Sequence, residues 1–159
     1  MSATDEAIRV GDPLPRIATA RVAGGLSIAV TWASGIRAGR EDVVDLAPVV
    51  MTLRFYRPLR LDPDLFAAVA VAEDGSALLW DDGRIDMAAT TVERLAREAM
   101  SPEDFRAFLA RNRMTLDAAA AILGISRRQA AYFAKGKPVP RLVALACAGY
   151  ELGKRDLAA

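Results

Sequence analysis

Two clusters in this 159-residue chain have residue types and spacings suited to chemistry. The first is basic: Arg127, Arg128, Gln129 and Tyr132, then Lys135, Lys137 and Arg141. Adjacent arginines at a helix start can donate bidentately to guanine O6 and N7. Gln129 can read adenine, contact phosphate or support the turn before it. Tyr132 can contact phosphate or a thymine methyl. Lys135, Lys137 and Arg141 are spaced to meet phosphates, which position a protein without specifying sequence. The second cluster is acidic. Asp81, Asp82 and Asp86 could hold a hard cation. Turn chemistry and a helix cap account for them better, because Asp is a preferred residue in both roles.

Composition excludes much else. Histidine is absent and Cys147 is the single cysteine. That removes Ser-His-Asp and Cys-His nucleophiles, an internal disulfide and the usual ligands of a structural zinc site. No nucleophile–base pair or metal set can be assembled, so the chain is expected to be no enzyme and to carry no cofactor. Cys147 is expected to be buried packing, as free cysteine usually is. Trp32 and Trp80 could line a ligand pocket. Both sit on apolar strand faces, and core packing is the better reading. Hydrophobic residues make up 53 %, enough for a core. No apolar run is long enough to span a bilayer. MSATDEAIRV lacks the basic start and apolar stretch of a signal peptide, so the cytoplasm is the expected location.

The net charge of +1 conceals a division. Residues 101–159 hold ten Lys or Arg against five Asp or Glu, or +5. Residues 1–100 hold eleven against fifteen, or −4. Such asymmetry suits a DNA-facing segment attached to a module that does not face DNA.

The elements that must position the basic cluster lie around it. Ser101-Pro102-Glu103-Asp104 has a cap, a proline and acids in the first turn, so a helix starts there and ends near Asn112. Phe105, Phe108 and Leu109 face inward. Thr115 caps a second helix, in which Ala118 to Ala121 allow close approach and Ile122 and Leu123 supply apolar bulk. Gly124 ends it in the left-handed conformation. Ile125 anchors the turn, and Ser126 caps a third helix with Ala130 and Phe133 on its inner face. Arg127, Arg128, Ala131 and Tyr132 fall on its outer face. Gly136 ends this helix, and residues 137–140 form a stiff connector. Leu142, Leu145 and Ala146 define the inner face of a final helix, continued by Gly149.

The first hundred residues alternate strand and turn. Residues 1–13 read as a loose arm. Arg16 to Val22, Ser27 to Trp32 and Ile36 to Arg40 read as an antiparallel meander, with turns at Gly24-Gly25 and Ser34-Gly35. Glu41, Asp42 and Asp45 read as a solvated acidic edge that could also guard against unwanted pairing. Asp45 is a candidate helix cap, with Leu46, Val49, Val50 and Leu53 at helical spacing and Pro48 in the first turn. Pro58 breaks that segment. Asp62-Pro63 starts a helical turn to Phe66. Ala67 to Val71 and Ala77 to Trp80 form a hairpin, Asp81-Asp82-Gly83 turns the chain, and Val92, Leu95, Ala96 and Ala99 line a helix.

Two resemblances follow. WASG (32–35), VDLAP (44–48), DLFAAVAV (64–71) and LLWDDGRIDM (78–87), with Trp80, Gly83 and Asp86 spaced along the last, resemble the domain-of-unknown-function family 2442 over about residues 14–98. That resemblance implies a compact α+β fold and, from the arrangement of its genes, a toxin–antitoxin pairing; it supplies no catalytic residue. Thr115, Ala120, Leu123-Gly124-Ile125-Ser126, Arg127, Gly136-Lys137 and Pro140 resemble the xenobiotic-response-element, phage-repressor type of helix-turn-helix. Three departures touch the docking details: Leu116 stands where the family often has Gln, Ala134-Lys135 where it often has Glu-Asn, and Ala131 is small where many members read a base. The third helix would enter the major groove.

The expectation is a small antiparallel-sheet α+β domain over 14–98, followed by an all-α helix-turn-helix bundle over 101–154. It would be a DNA-binding transcription regulator and repressor, in a more specific version an antitoxin whose first domain binds a small toxin, with double-stranded DNA and a second copy of itself as partners. The named site residues are Ser126, Arg127, Arg128, Gln129, Tyr132, Lys135, Lys137 and Arg141. Rival readings are a protein-interaction adaptor that no longer touches DNA and a ligand-sensing regulator with a pocket bounded by Trp80.

Overall fold

A computed structural model describes Gly11 and residues 13–158. The arm read over 1–13 therefore lies almost entirely outside the described residues. The chain divides into two compact units, Met1–Ala96 and Arg97–Ala159.

The first unit begins with a three-stranded antiparallel sheet: β1 (Arg16–Gly24), β2 (Ser27–Ser34) and β3 (Glu41–Asp45), in that order. Gly24 and Gly25 both take positive φ and turn β1 into β2. Ala20 stands opposite Val30, and Val30 opposite Asp42. Ile28, Val30 and Trp32 enter the core, as period-two alternation requires.

The third strand is not at Ile36 to Arg40. Gly35 and Gly39 hold φ of 94° and 78°, so the chain coils there. Ala38 N donates to Gly35 O and Arg40 N to Arg37 O; bonding to β2 returns where Gly39 N donates to Trp32 O and Arg40 O accepts from Trp32 N, and the strand itself starts at Glu41. Asp45 therefore closes β3. Its Oδ1 still accepts from Ala47 N at 2.8 Å, but Leu46 is the cap residue of α1 (Ala47–Val50). That helix stops short of Leu53, which is 51 % exposed. Nor does Pro58 break a helix: it occupies the first turn of α2 (Arg57–Leu61), where a missing N–H costs nothing. Asp62 caps α3 (Pro63–Ala67), accepting from Asp64 N and Leu65 N.

A second three-stranded sheet follows: β4 (Ala70–Val71), β5 (Ala77–Trp80) and β6 (Ile85–Ala88). β4 is shorter than expected because α3 already uses Ala67. β6 was not anticipated; it sets Met87 opposite Leu78 and Ile85 opposite Trp80. α4 (Ala89–Glu98) buries Val92, Leu95 and Ala96, while Ala99 lies beyond its end. The two sheets meet where Ile17 N donates to Gly75 O at 2.8 Å. A Cβ at Gly75 would stand 2.7 Å from Ile17 O.

Both tryptophans are core residues with their N–H groups satisfied, as buried indoles require. Trp80 donates to Phe66 O at 3.0 Å and stacks on the Phe66 ring. Trp32 donates to Asp42 Oδ2 at 2.7 Å. Arg37 grips the same carboxylate through Nε and Nη2 at 2.7 and 2.9 Å, and holds its pKa below the ordinary value. Asp42 is thus an inward clamp, while Glu41 and Asp45 are exposed at the edge.

The second unit is helical: α5 (Pro102–Arg111), α6 (Leu116–Leu123), α7 (Arg127–Ala134) and α8 (Arg141–Ala158). Ser101 and Asp104 form a capping box at α5, and Thr115 caps α6 by accepting from Ala118 N. The core is Phe105, Phe108, Ala130, Phe133, Val143 and Cys147, with Leu109, Leu123 and Ile125 packed against it. Burial pushes the Cys147 thiol up to about 11, with Glu151 adding to the effect. Two expected faces are corrected. Ile122 is 44 % exposed, so Leu123 supplies the bulk on α6. Leu142 and Leu145 point outward at 78 % and 42 %, and the inner face of α8 is Val143, Ala144 and Cys147. The architecture is α+β followed by helices, as expected.

Candidate nucleic-acid interface

The interface starts from a turn. Gly124 ends α6 at φ 68°, ψ 29°, and Ile125 N donates to Ala120 O. A side chain at Gly124 would be strained by this backbone. One residue after Ile125, Ser126 starts α7 in extended conformation. Its Oγ accepts from Gln129 N at 3.1 Å, and Gln129 Oε1 accepts from Ser126 N at 2.9 Å. This reciprocal box satisfies two N–H groups that a helix start otherwise leaves open. Of the three roles open to Gln129, the geometry realises support of the turn.

Ala130 and Phe133 turn α7 inward, where Phe133 meets Phe105 edge-to-face at 5.8 Å. The opposite face is exposed and cationic. Arg127 Nε lies 3.1 Å from Asp117 Oδ1, with side chains 65 % and 74 % exposed. A pair this open contributes about 0–1 kcal/mol. A phosphate or base edge can therefore compete for the Arg127 guanidinium. Arg128 donates from Nε to the Tyr132 hydroxyl, and its guanidinium lies 5.3 Å from the Tyr132 ring centre. Lys137 Nζ approaches the same ring at 5.7 Å. Tyr132 thus organises one cation from the helix and one from the connector beyond it.

The exposed Lys135 is the C-terminal cap residue of α7, and Lys137 N donates back to Tyr132 O. Arg141 does not join this face as a free cation: its guanidinium is paired with Glu98. The structure therefore brings together Ser126, Arg127, Arg128, Gln129, Tyr132, Lys135 and Lys137, and engages Arg141 elsewhere. Two residues went unsingled in the sequence. Asp117, an acid in the first turn of α6, holds Arg127. Arg106 reaches across from α5 and donates to Ala134 O at 2.9 Å, fixing the far end of α7. Asp117 carried a signal, since a first-turn acid near paired arginines invites an ion pair. Arg106 carried none, because its contact spans 28 positions.

The acidic cluster resolves differently. Asp81 and Asp82 take positive φ within a single 3-10 turn, Arg84 stands 3.7 Å from Asp81, and Asp86 belongs to β6. Among the described residues, no group of three or more His, Cys, Asp or Glu could hold a metal ion. No helix among them is long and apolar enough to cross a membrane.

The second unit is thus, in class, a helix-turn-helix bundle with a cationic outer helix. No family model and no curated protein matches the chain. Among solved structures, the chain is similar to NE0471 of Nitrosomonas europaea, named as a candidate DNA-binding protein. The two share 30 % identity over 86 % of each chain, with a TM-score of 0.45.

Proposed function

We propose that this chain binds double-stranded DNA through α7 and regulates transcription, as a repressor that reads two half-sites as a homodimer. One observation carries the reading. The turn from Gly124 to Ser126 presents a capped helix with Arg127, Arg128 and Tyr132 on its outer face and Lys135 and Lys137 just past its end, all exposed. Arg127 and Arg128 would read guanine, and the lysines would meet phosphates. The role is binding in the cytoplasm, without catalysis or cofactor. The resemblance of residues 115–141 to phage-repressor helix-turn-helix regulators supports it.

A mobility shift with the protein's own upstream DNA tests this. Each arginine–guanine contact should be worth ~1–3 kcal/mol of discrimination, so Arg127→Ala with Arg128→Ala should abolish specific retardation. Affinity should also fall steeply with salt, as phosphate contacts require and a DNA-blind adaptor would not show. Unchanged retardation by the double variant would end the reading.

A narrower form makes the chain an antitoxin whose first unit holds a small toxin-like protein. Met51, Leu53, Phe55 and Leu61 are all more than half exposed. They interleave with Arg54, Arg57 and Arg60 in a stretch, residues 46–61, that has no acidic residue. Arg60 donates to Met51 O and Leu53 O and ties the patch together. Exposed apolar groups rimmed by charge are the mark of a protein-binding surface. The full chain should co-purify with the product of the adjacent reading frame, and Phe55→Ser with Leu61→Ser should break that complex. Absence of a companion frame would remove the antitoxin reading.

A further inference from the structure

We propose that the outward face of α8 pairs antiparallel with the same face of a second copy of this chain, about a two-fold axis level with residue 147. α8 is apolar on two sides. One side, Val143, Ala144 and Cys147, closes the bundle. On the other side, Leu142, Leu145 and Leu152 are 78 %, 42 % and 61 % exposed. Gly149 is exposed in line with them. Residues 142–150 contain no charged side chain. A surface helix that serves only its own core carries polar groups on its far side, so this face is built to be covered.

The pattern of the face says what covers it. The positions 142, 145, 149 and 152 are spaced three, four and three apart, and the order is the same from either end. Antiparallel superposition therefore sets Leu142 against Leu152 of the partner subunit, and Leu145 against Gly149 of the partner subunit. Nothing lies within 4 Å of where a Cβ at Gly149 would stand, so the glycine leaves a notch that a leucine can enter. Bump and hollow occur on one helix and exchange under a two-fold rotation, which is the requirement of an isologous interface. The spacing alone is common to apolar helix stripes; it is the leucine set against the glycine notch that favours a second copy. Pairing level with residue 147 sets Arg141, itself engaged with Glu98, opposite Gly153 of the partner subunit, and carries the exposed Asp156 beyond the first residue of the partner's α8, so like charges are not set against each other.

The contact is small. An 18-residue helix is about 27 Å long and offers a strip ~10 Å wide. That is well below the ~800 Å² per partner of a standard stable interface, so the pair belongs to the weak, transient class.

Sedimentation of the full chain, without DNA, tests the inference from about 1 to 500 μM. The expected result is a monomer–dimer equilibrium with a micromolar dissociation constant, raised at least tenfold by Leu145→Glu. Orientation is read by oxidising a mixture of two single variants, Leu145→Cys and Gly149→Cys. Cross-linking should appear in the mixture and not in either variant alone. Circular dichroism checks that each variant keeps its helices, all three changes being on the exposed face. A monomer throughout, a dimer untouched by Leu145→Glu, or a cross-link of Leu145→Cys with itself alone would overturn the proposal. None of these readouts involves DNA, so failure of the α8 pairing is read separately from failure of DNA binding by α7, although a monomer throughout would also remove the two-half-site form of that reading.

Discussion

The two units solve the same problem with different materials. The first builds a core from bulky aliphatic side chains and two tryptophans whose N–H groups are tied to Phe66 O and Asp42. The second, shorter unit relies on three phenylalanines, small residues and capped helix starts. Its alanines let helices approach closely, which leaves fewer methylenes per residue to bury. The smaller core should be the weaker, because small domains remove less of their surface from water. Sheet and bundle thus divide the labour: one holds itself together through side-chain bonds within the core, the other through the ends of its helices.

The largest expected effect breaks the two apart. Phe108→Ala removes a fully buried ring from the second unit and should cost ~3–5 kcal/mol there. Both tryptophans, Trp32 and Trp80, belong to the first unit. Tryptophan fluorescence should therefore keep its unfolding midpoint while the far-ultraviolet helical signal loses stability. Coincident shifts in both signals would show that the units unfold as one.

The next effect falls on the first unit. Asp42→Ala removes the carboxylate that Arg37 and the Trp32 N–H both bond and should cost ~1–3 kcal/mol, read by tryptophan fluorescence in urea. The same carboxylate confers a pH dependence. Its folded pKa is depressed, chiefly by the Arg37 hydrogen bonds, so its contribution is complete above the ordinary value of 3.8 and is lost as pH falls through the folded value. Wild-type protein should lose stability over that acid range more steeply than Asp42→Ala.

A smaller effect compares two like devices within the second unit. Ser101→Ala and Ser126→Ala each remove a capping box and should each cost ~1 kcal/mol of stability. Under the DNA reading, only Ser126→Ala should also weaken DNA retention, because α7 and not α5 presents the arginines. Equal DNA affinity in the two variants would detach the cap from recognition. The smallest effect concerns Cys147. With its thiol pushed up to about 11, the folded state keeps a proton that the unfolded state releases from its ordinary value of 9.0 upward. Stability of the second unit should therefore decline slightly as pH rises through that window, and Ellman's reagent should react only as the bundle opens.

How much of this was legible depended on whether local rules decided the matter. The turn from Gly124 to Ser126 was, because a left-handed glycine and a capping serine are local chemistry. So were the starts at Ser101, Thr115 and Asp62. The third strand was misplaced because Gly35 and Gly39 both adopt positive φ, and a chain pinned at both points coils where alternation suggested a strand. β6 did carry a signal: Ile85 and Met87 alternate with Asp86 and Ala88 and are buried. That alternation covers only four residues and starts two residues after a turn, too short to stand out against it. Helical spacing marks the leucines of α8 as a stripe without saying which of two stripes meets the core; the structure turns Leu142 and Leu145 outward. The engagement of Arg141 by Glu98 was illegible as an outcome, since an acid and an arginine 43 positions apart meet only when the helices are assembled.

The place where Ile17 meets Gly75 has a practical side. A single methyl group there would collide with a carbonyl, so the joint tolerates no insertion or label. At Gly24, Gly25 and Gly39 the space around the chain is open. A fluorophore or purification tag carried on a flexible glycine-rich insert at the Gly24-Gly25 bend would leave the seam undisturbed and would report on the first unit.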